Sequence, residues 1–423
     1  MKLVRILAAA LFCVAAFSQE WTRFRGPNGT GISPARTIPT DISDAHLRWK
    51  TELPGIGHSS PVLWGTKIFL TTTGDSAGGY SVLCLDSTDG RIVWKKDFPL
   101  SPFPRHKFNS YASSTPAVDA DRVYVIWNEP ANYMLAALDH SGRLVWQRDF
   151  GPFLSQHGCA ISPVVYDGKV FVGYEQGDSN AIRANANAKS FLVAVDAKDG
   201  KTVWQTPRKT LSVAYSTPCI YEPKGGKPAL IFNSEAHGIS AIDPDTGKEL
   251  WAYTDAFDKR SVSSPVAAGD IIFGSCGSGG GGTFVTAIRA GDAASGRKPE
   301  LAYNIKKSAP YVPTPVAVGE LAWFWSDGGI LTCLESKSGK IHYQERVGGN
   351  FFGSPIWIDG RLFAVNDSGE LVVAAASDEF KVLHRYSLDE LCRTTPAVAN
   401  EQLFIRTEKH LWSFAADKRT ASR

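Results

Sequence analysis

The sequence predicts an all-β protein, an eight-bladed β-propeller of four-stranded antiparallel blades, from two interleaved repeats and from strand alternation without amphipathic helix patterns. The first repeat is a short apolar run ending in Asp or Glu, a turn with Gly, then an apolar stretch closed by Trp or Tyr. It reads Leu85-Asp86 to Trp94, Leu138-Asp139 to Trp146, Val195-Asp196 to Trp204, Ile242-Asp243 to Trp251, and Leu334-Glu335 to Tyr343. The second is a small hydroxyl residue, Pro and a small or β-branched apolar pair, with prolines at 61, 116, 163, 218, 265, 315, 355 and 396. The two are out of phase, one of each in roughly 40 to 55 residues, the period of one blade.

The first unit supplies the strands in order. Pro61 to Leu63 starts strand a, Gly65-Thr66 turns, Lys67 to Thr73 is strand b, Tyr80 to Asp86 is strand c, and Arg91 to Lys96 is strand d. Turns such as Asp167-Gly168 and Asp359-Gly360 fall between a and b, and Asp89-Gly90 and Asp199-Gly200 between c and d, where residues tolerating positive φ are wanted. Eight prolines count eight blades. A lone blade exposes both faces and two edges, and a ring of blades packed face to face removes that problem. The last unit, Thr395 to Ala415, lacks a strand d, which Leu47 to Thr51 supplies from near the N-terminus to latch the ring.

Trp49, Trp94, Trp146, Trp204, Trp251 and Tyr343 share one slot on strand d. Regular recurrence on the outermost strand favours inter-blade wedges, with an indole N–H for a neighbouring carbonyl, over a ligand-stacking surface. Lys2 and Arg5, then the apolar run to Phe17, read as a signal peptide over residues 1–18, cleaved before Gln19. Phe12 before Cys13 argues against lipid anchoring. The expected order is leader, irregular arm (19–46) lying on the ring, propeller (47–416) and polar tail (417–423), in a periplasmic or secreted monomer. With 21% charged residues and a net charge of +3, the composition makes no case for nucleic acid. No apolar stretch after the leader is long enough to span a bilayer. The six later cysteines, Cys84, Cys159, Cys219, Cys276, Cys333 and Cys392, repeat blade positions far apart and read mostly as buried small hydrophobes. No metal-type Cys spacing is present.

The unit Ala241-Ile242-Asp243-Pro244-Asp245-Thr246-Gly247-Lys248-Glu249-Leu250-Trp251 resembles the tryptophan-docking repeat of the quinoprotein-like, or pyrroloquinoline quinone-like, propeller family, and the other units are weaker copies. The arm around Arg25-Gly26-Pro27 looks like the leader of exported bacterial proteins with such repeats. The resemblance implies one of two things. Quinoprotein dehydrogenases of alcohols or sugars hold pyrroloquinoline quinone and Ca²⁺ on the ring axis. Others, such as the propeller lipoprotein of the outer-membrane barrel-assembly machine, bind no cofactor and dock partners. The dehydrogenases usually carry an adjacent Cys pair and chamber-building insertions. Here no two cysteines adjoin, and the elaborations are short, residues 177–189 and 274–282.

In a propeller the d-to-a and b-to-c loops share the face around the axial channel. The d-to-a loops carry His58, Arg105, His106, Lys107, His157, Lys259, Arg260, Lys306, Lys307 and Arg393, with Tyr111, Tyr215, Tyr311, Phe351 and Phe352. If they converge, the mouth is a positive funnel for carboxylate, phosphate or anionic glycan groups. The b-to-c loops supply Glu129, Glu175, Asp178, Glu235, Asp327 and Asp367, which could neutralise it. His58, His106 and His157 could together suit Zn²⁺, although their offsets from the blade prolines differ. The Gly277 to Gly282 run lacks a following Lys-Ser or Lys-Thr and reads as a hairpin tip, not a phosphate loop. No nucleophile elbow or His-Glu-x-x-His pair occurs. The reading is therefore an exported, non-catalytic scaffold without cofactor, docking a protein or anionic glycan at the channel face through His58, Arg105, His106, Lys107, His157, Tyr215, Arg260, Lys306 and Arg393. The alternative is a Ca²⁺-dependent quinone oxidoreductase.

Overall fold

In the computed structural model, which describes residues 20–74, 79–104, 106–177, 188–209, 211–279 and 281–417, the strands pair into eight sheets, seven four-stranded and one five-stranded. The leader, Arg105, Asp178 and most of the 177–189 loop lie outside the described residues. The first blade runs Val62–Trp64, Lys67–Thr73, Tyr80–Asp86 and Ile92–Phe98 as an antiparallel meander. Strands b and c are almost wholly buried, whereas strand d alternates, because inner strands are covered on both faces and strand d forms the rim. Leu47–Glu52 pairs antiparallel with His410–Phe414, so the last blade is closed by the chain's first long strand. Both chain ends share the largest apolar cluster.

Each wedge residue reaches the next blade's c-to-d turn. The indole N–H of Trp49 donates to the carbonyl of Ser87 (3.0 Å), Trp94 to His140 (3.1 Å), Trp146 to Ala197 (3.0 Å) and Trp204 to Pro244 (2.9 Å). The ring lies over the turn glycine: a Cβ on Gly200 would sit 2.7 Å from Trp146, and Gly200 holds φ +72°. Trp251 packs on Gly291 in the same way, and Tyr343 on Phe380, with centroids 5.5 Å apart. Blade five uses Tyr303, whose hydroxyl donates to Ser336 O at 2.6 Å. In blade seven His384 fills the slot and contacts Ile42 O of the arm. The repeat motif passes over both because its acidic position is Arg289 in blade five and Ala375 in blade seven. All six cysteines are buried and free of disulfides.

The hydroxyl residues before the blade prolines form a closed circuit. Ser60 N–H donates to Thr115 Oγ1 (2.9 Å), Thr115 to Ser162 (3.0 Å), Ser162 to Thr217 (3.1 Å) and Thr217 to Ser264 (3.1 Å). Ser264 then donates to Thr314 (3.0 Å), Thr314 to Ser354 (2.9 Å), Ser354 to Thr395 (2.9 Å), and Thr395 back to Ser60 (3.0 Å). Ser and Thr alternate strictly around it. The proline after each lacks an N–H, so strand a begins there without an orphaned donor.

Residues 36–44 of the arm lie against blades seven and eight, bonded to Glu401, Arg361, His384 and Tyr386, while residues 21–33 enter the axial channel from the face where strand a ends. Trp21 pairs with Leu63, Thr22 O accepts Val118 N–H, Asn28 bonds both backbone groups of Ile220, and Ile32–Ser33 adds a parallel fifth strand to Ile356–Ile358. Strand a edges at the axis have unpaired backbone groups, and the arm satisfies some of those on blades one, two, four and seven. Gly26 permits the turn: at φ +69° a Cβ there would sit 2.4 Å from the Trp21 ring.

Two substitutions test these contacts. Gly200→Ala forces a methyl into Trp146 at positive φ and should cost roughly 1–3 kcal/mol. Thr217→Val keeps the shape, removes the acceptor for the Ser162 amide and should cost about 1–3 kcal/mol. Urea unfolding of each against wild type checks both.

Candidate functional site

Every d-to-a loop opens toward one end of the axis, and there the loops enclose a cavity of about 1380 Å³. Its floor is the hydroxyl circuit, all eight members of which line it, together with Phe24 from the arm. The arm fills the channel below, so the cavity is a cup. Residues Gly277, Ser278, Gly279 and Gly281 of the blade-five hairpin line its side, where sequence reading placed a hairpin tip.

Of the residues expected at the mouth, His58, His106, His157, Tyr215, Arg260 and Arg393 line the cup. Lys107 does not; it is exposed, with its ammonium 5.0 Å over the Phe108 ring. Lys306 and Lys307 are exposed just past strand d of blade five and do not line it. Phe351 is core, packed 4.9 Å from Trp325, and Tyr111 turns its hydroxyl to the backbone of Phe103. Phe24, Phe108 and Leu211 line the cup and were not anticipated. Phe108 follows the basic run in its own loop, a signal that could have found it; Phe24 and Leu211 carry none.

The guanidinium of Arg393 packs on a pair of touching phenyl rings, 4.9 Å from Phe108 and 5.3 Å from Phe352, and burial lowers its pKa below the ordinary value. Across the cup Arg260 sits 5.8 Å over Tyr215. The rings of His106 and His157 meet edge to face at 5.0 Å. Burial raises the Asp327 carboxyl pKa, opposed by the N–H groups of Tyr311 (2.6 Å) and Val312 (3.1 Å). The b-to-c acids mostly serve the fold rather than neutralise the rim: Glu175 pairs with Arg208 at 2.7 Å, both buried, and Glu235 accepts from Ser212.

These groups do not fit a Ca²⁺–quinone pair. Ca²⁺ takes six or more oxygens. The cup's carboxylates are Glu235, which accepts from Ser212, Asp327, which accepts from two backbone amides, and the largely exposed Asp258, and the three do not converge on one point. Among the described residues no group of three His, Cys, Asp or Glu could hold a metal ion, so the three histidines do not form the zinc-type cluster considered from sequence.

A family model described as outer membrane protein assembly factor BamB matches residues 33–125 and 81–345. A polyvinylalcohol dehydrogenase from Pseudomonas sp is 26% identical over 192 residues, 42% of this chain but only 28% of the dehydrogenase. Outer membrane protein assembly factor BamB from Yersinia pestis is 26% identical over 420 residues, 96% of this chain and 86% of that protein. Among solved structures, a europium-containing methanol dehydrogenase superposes with TM-score 0.68 at 13% identity, covering 94% of this chain and 98% of that one. BamB from Moraxella catarrhalis gives TM-score 0.58 at 13% identity, covering 88% and 98%. At such identities the superpositions speak for the fold.

His237, two residues from the cup's Glu235, accepts the Lys209 N–H at 2.8 Å, and burial, then Arg208 and Lys209, lowers its pKa from 6.5 to about 4. A depressed His is neutral in the folded state while the unfolded chain takes up a proton near 6.5, so its contribution is complete above about pH 6.5 and is lost as pH falls toward 4. His237→Asn should therefore flatten the decline in urea stability between pH 7 and 4.5; an unchanged slope would show that His237 does not drive it.

Proposed function

Because the chain belongs to the outer membrane protein assembly factor BamB family, we propose that it is an exported, monomeric, non-catalytic scaffold whose axial cup seats a segment of a protein partner. The observation that carries this is the pairing, in one concave site, of exposed apolar anchors with guanidiniums. Phe108 (40% exposed) and Leu211 (48%) both line the cup with Arg393 and Arg260, and Arg393 stacks on Phe108 itself. Aromatic and Arg anchors beside a pocket are what protein interfaces concentrate. An anionic glycan would use the guanidiniums but leave the aliphatic Leu211 idle. The name of the family and the basic, apolar leader support residence in the periplasm with a partner from the outer-membrane assembly process. No helix among the described residues is long and apolar enough to cross a membrane.

A photocrosslinking amino acid at position 108, activated in cells, should give a discrete protein adduct. That adduct should fall at least tenfold in the Arg260→Ala/Arg393→Ala variant. Titration of the purified protein with pyrroloquinoline quinone, with and without Ca²⁺, should leave the melting temperature unmoved. Saturable, Ca²⁺-dependent quinone binding with a raised melting temperature would replace the scaffold with an oxidoreductase.

A further inference from the structure

The scaffold reading uses the mouth of the cup and leaves its floor unexplained. Each of the eight floor hydroxyls accepts an amide N–H from its neighbour, and among the described residues none donates to a protein acceptor. A hydroxyl is both acceptor and donor, so eight O–H donors are available to whatever sits on the axis. Directly beyond the floor lie two arginines of the arm. Arg23 donates to Pro218 O, and Arg25 donates to Pro315 O (2.8 Å) and Pro355 O (3.3 Å), the residues that follow circuit members Thr217, Thr314 and Ser354. Arg406 donates to Ser59 O (2.8 Å) and Ser59 Oγ (2.6 Å), beside circuit member Ser60.

These three side chains are 6%, 0% and 0% exposed, and among the described residues none has an Asp or Glu within salt-bridge distance. Their Nε atoms, and Nη2 of Arg406, are buried without a hydrogen-bond partner. Burial lowers the pKa of Arg23 to about 10 and of Arg25 and Arg406 to about 9, the signature of positive charge held without compensation. A cation at the floor would meet three buried positive charges. An oxyanion would meet those circuit hydroxyl donors within its reach at the closed end of the cup, with the field of the buried charges behind them.

We propose that the floor of the cup is an oxyanion seat for a carboxylate- or phosphate-type group, with the circuit hydroxyls as donors and the buried arginines of the arm and of blade eight supplying charge from behind. Phe24, between Arg23 and Arg25 and reaching the cup, closes the seat from below. The seat rests on the cup being a binding site and is indifferent to which partner fills the mouth.

Crystals soaked in selenate should show an anomalous peak on the axis about 3 Å from circuit hydroxyls, and inorganic phosphate at constant ionic strength should raise the melting temperature saturably. Arg25→Gln keeps a donor for the proline carbonyls and removes the charge. It should weaken phosphate binding at least tenfold while the melting temperature of the phosphate-free protein holds or rises, the reverse of what loss of a merely structural residue would do. A peptide ending in a free carboxylate, compared with its C-terminal amide, distinguishes a partner's carboxylate from a free anion as the natural occupant. Absence of an axial selenate peak, phosphate affinity unchanged in Arg25→Gln, or binding of neither phosphate nor the free-acid peptide overturns the seat; the selenate soak decides even where the variant does not fold. Phosphate binding that survives Arg260→Ala/Arg393→Ala while the crosslink is lost separates the seat from the scaffold reading.

Discussion

The structure depends on one constraint: eight blades must meet at an axis where each presents the unpaired edge of its innermost strand. The hydroxyl circuit answers it by letting the side chain of one blade accept the backbone N–H of the previous one, eight times, until the last bond returns to the first blade. At about 1 kcal/mol for a typical hydrogen bond, the circuit is comparable with the whole stability of an ordinary domain. It also sets spacing. A blade shifted by one residue would put proline, which has no N–H, into the circuit.

The rim is handled by different chemistry. There, indole rings lie over turn glycines of the next blade and donate to carbonyls in the same turn, so packing and hydrogen bonding choose the same register. Where tryptophan is missing, Tyr303 and His384 hold the slot through a ring and one polar atom. The slot therefore asks first for an aromatic body, to which most blades add a polar atom bonded at its far end while Tyr343 packs on Phe380 with its hydroxyl unpaired among the described residues.

The arm links stability to function. By running through the channel it bonds to strand a of blades one, two, four and seven, and in doing so it converts a tube into a cup with Phe24 in its floor. That geometry forces Arg23 and Arg25 out of water with carbonyls as their only hydrogen-bonding partners among the described residues, a costly arrangement for charges unless something in the cup responds to them.

Much of this was legible in the amino-acid order. Repeats at a fixed period determine blade number, strand order and tight turns because each is a local event of a few residues, and the need to close a sheet determines that Leu47 to Glu52 must complete the last blade. Loop position was enough to collect His58, His106, His157, Tyr215, Arg260 and Arg393 as candidates, since all occupy equivalent d-to-a connections. Other features needed three dimensions. Whether Lys306 faces the axis or solvent, whether Phe351 or Phe352 turns inward, and where a glycine-rich arm comes to rest are decided by contacts between residues hundreds of positions apart. The sequence by itself determined the ring, because a repeat carries its own strand pattern; only the tertiary structure decided the cup, because its floor is made by nine pieces of chain that meet nowhere but on the axis.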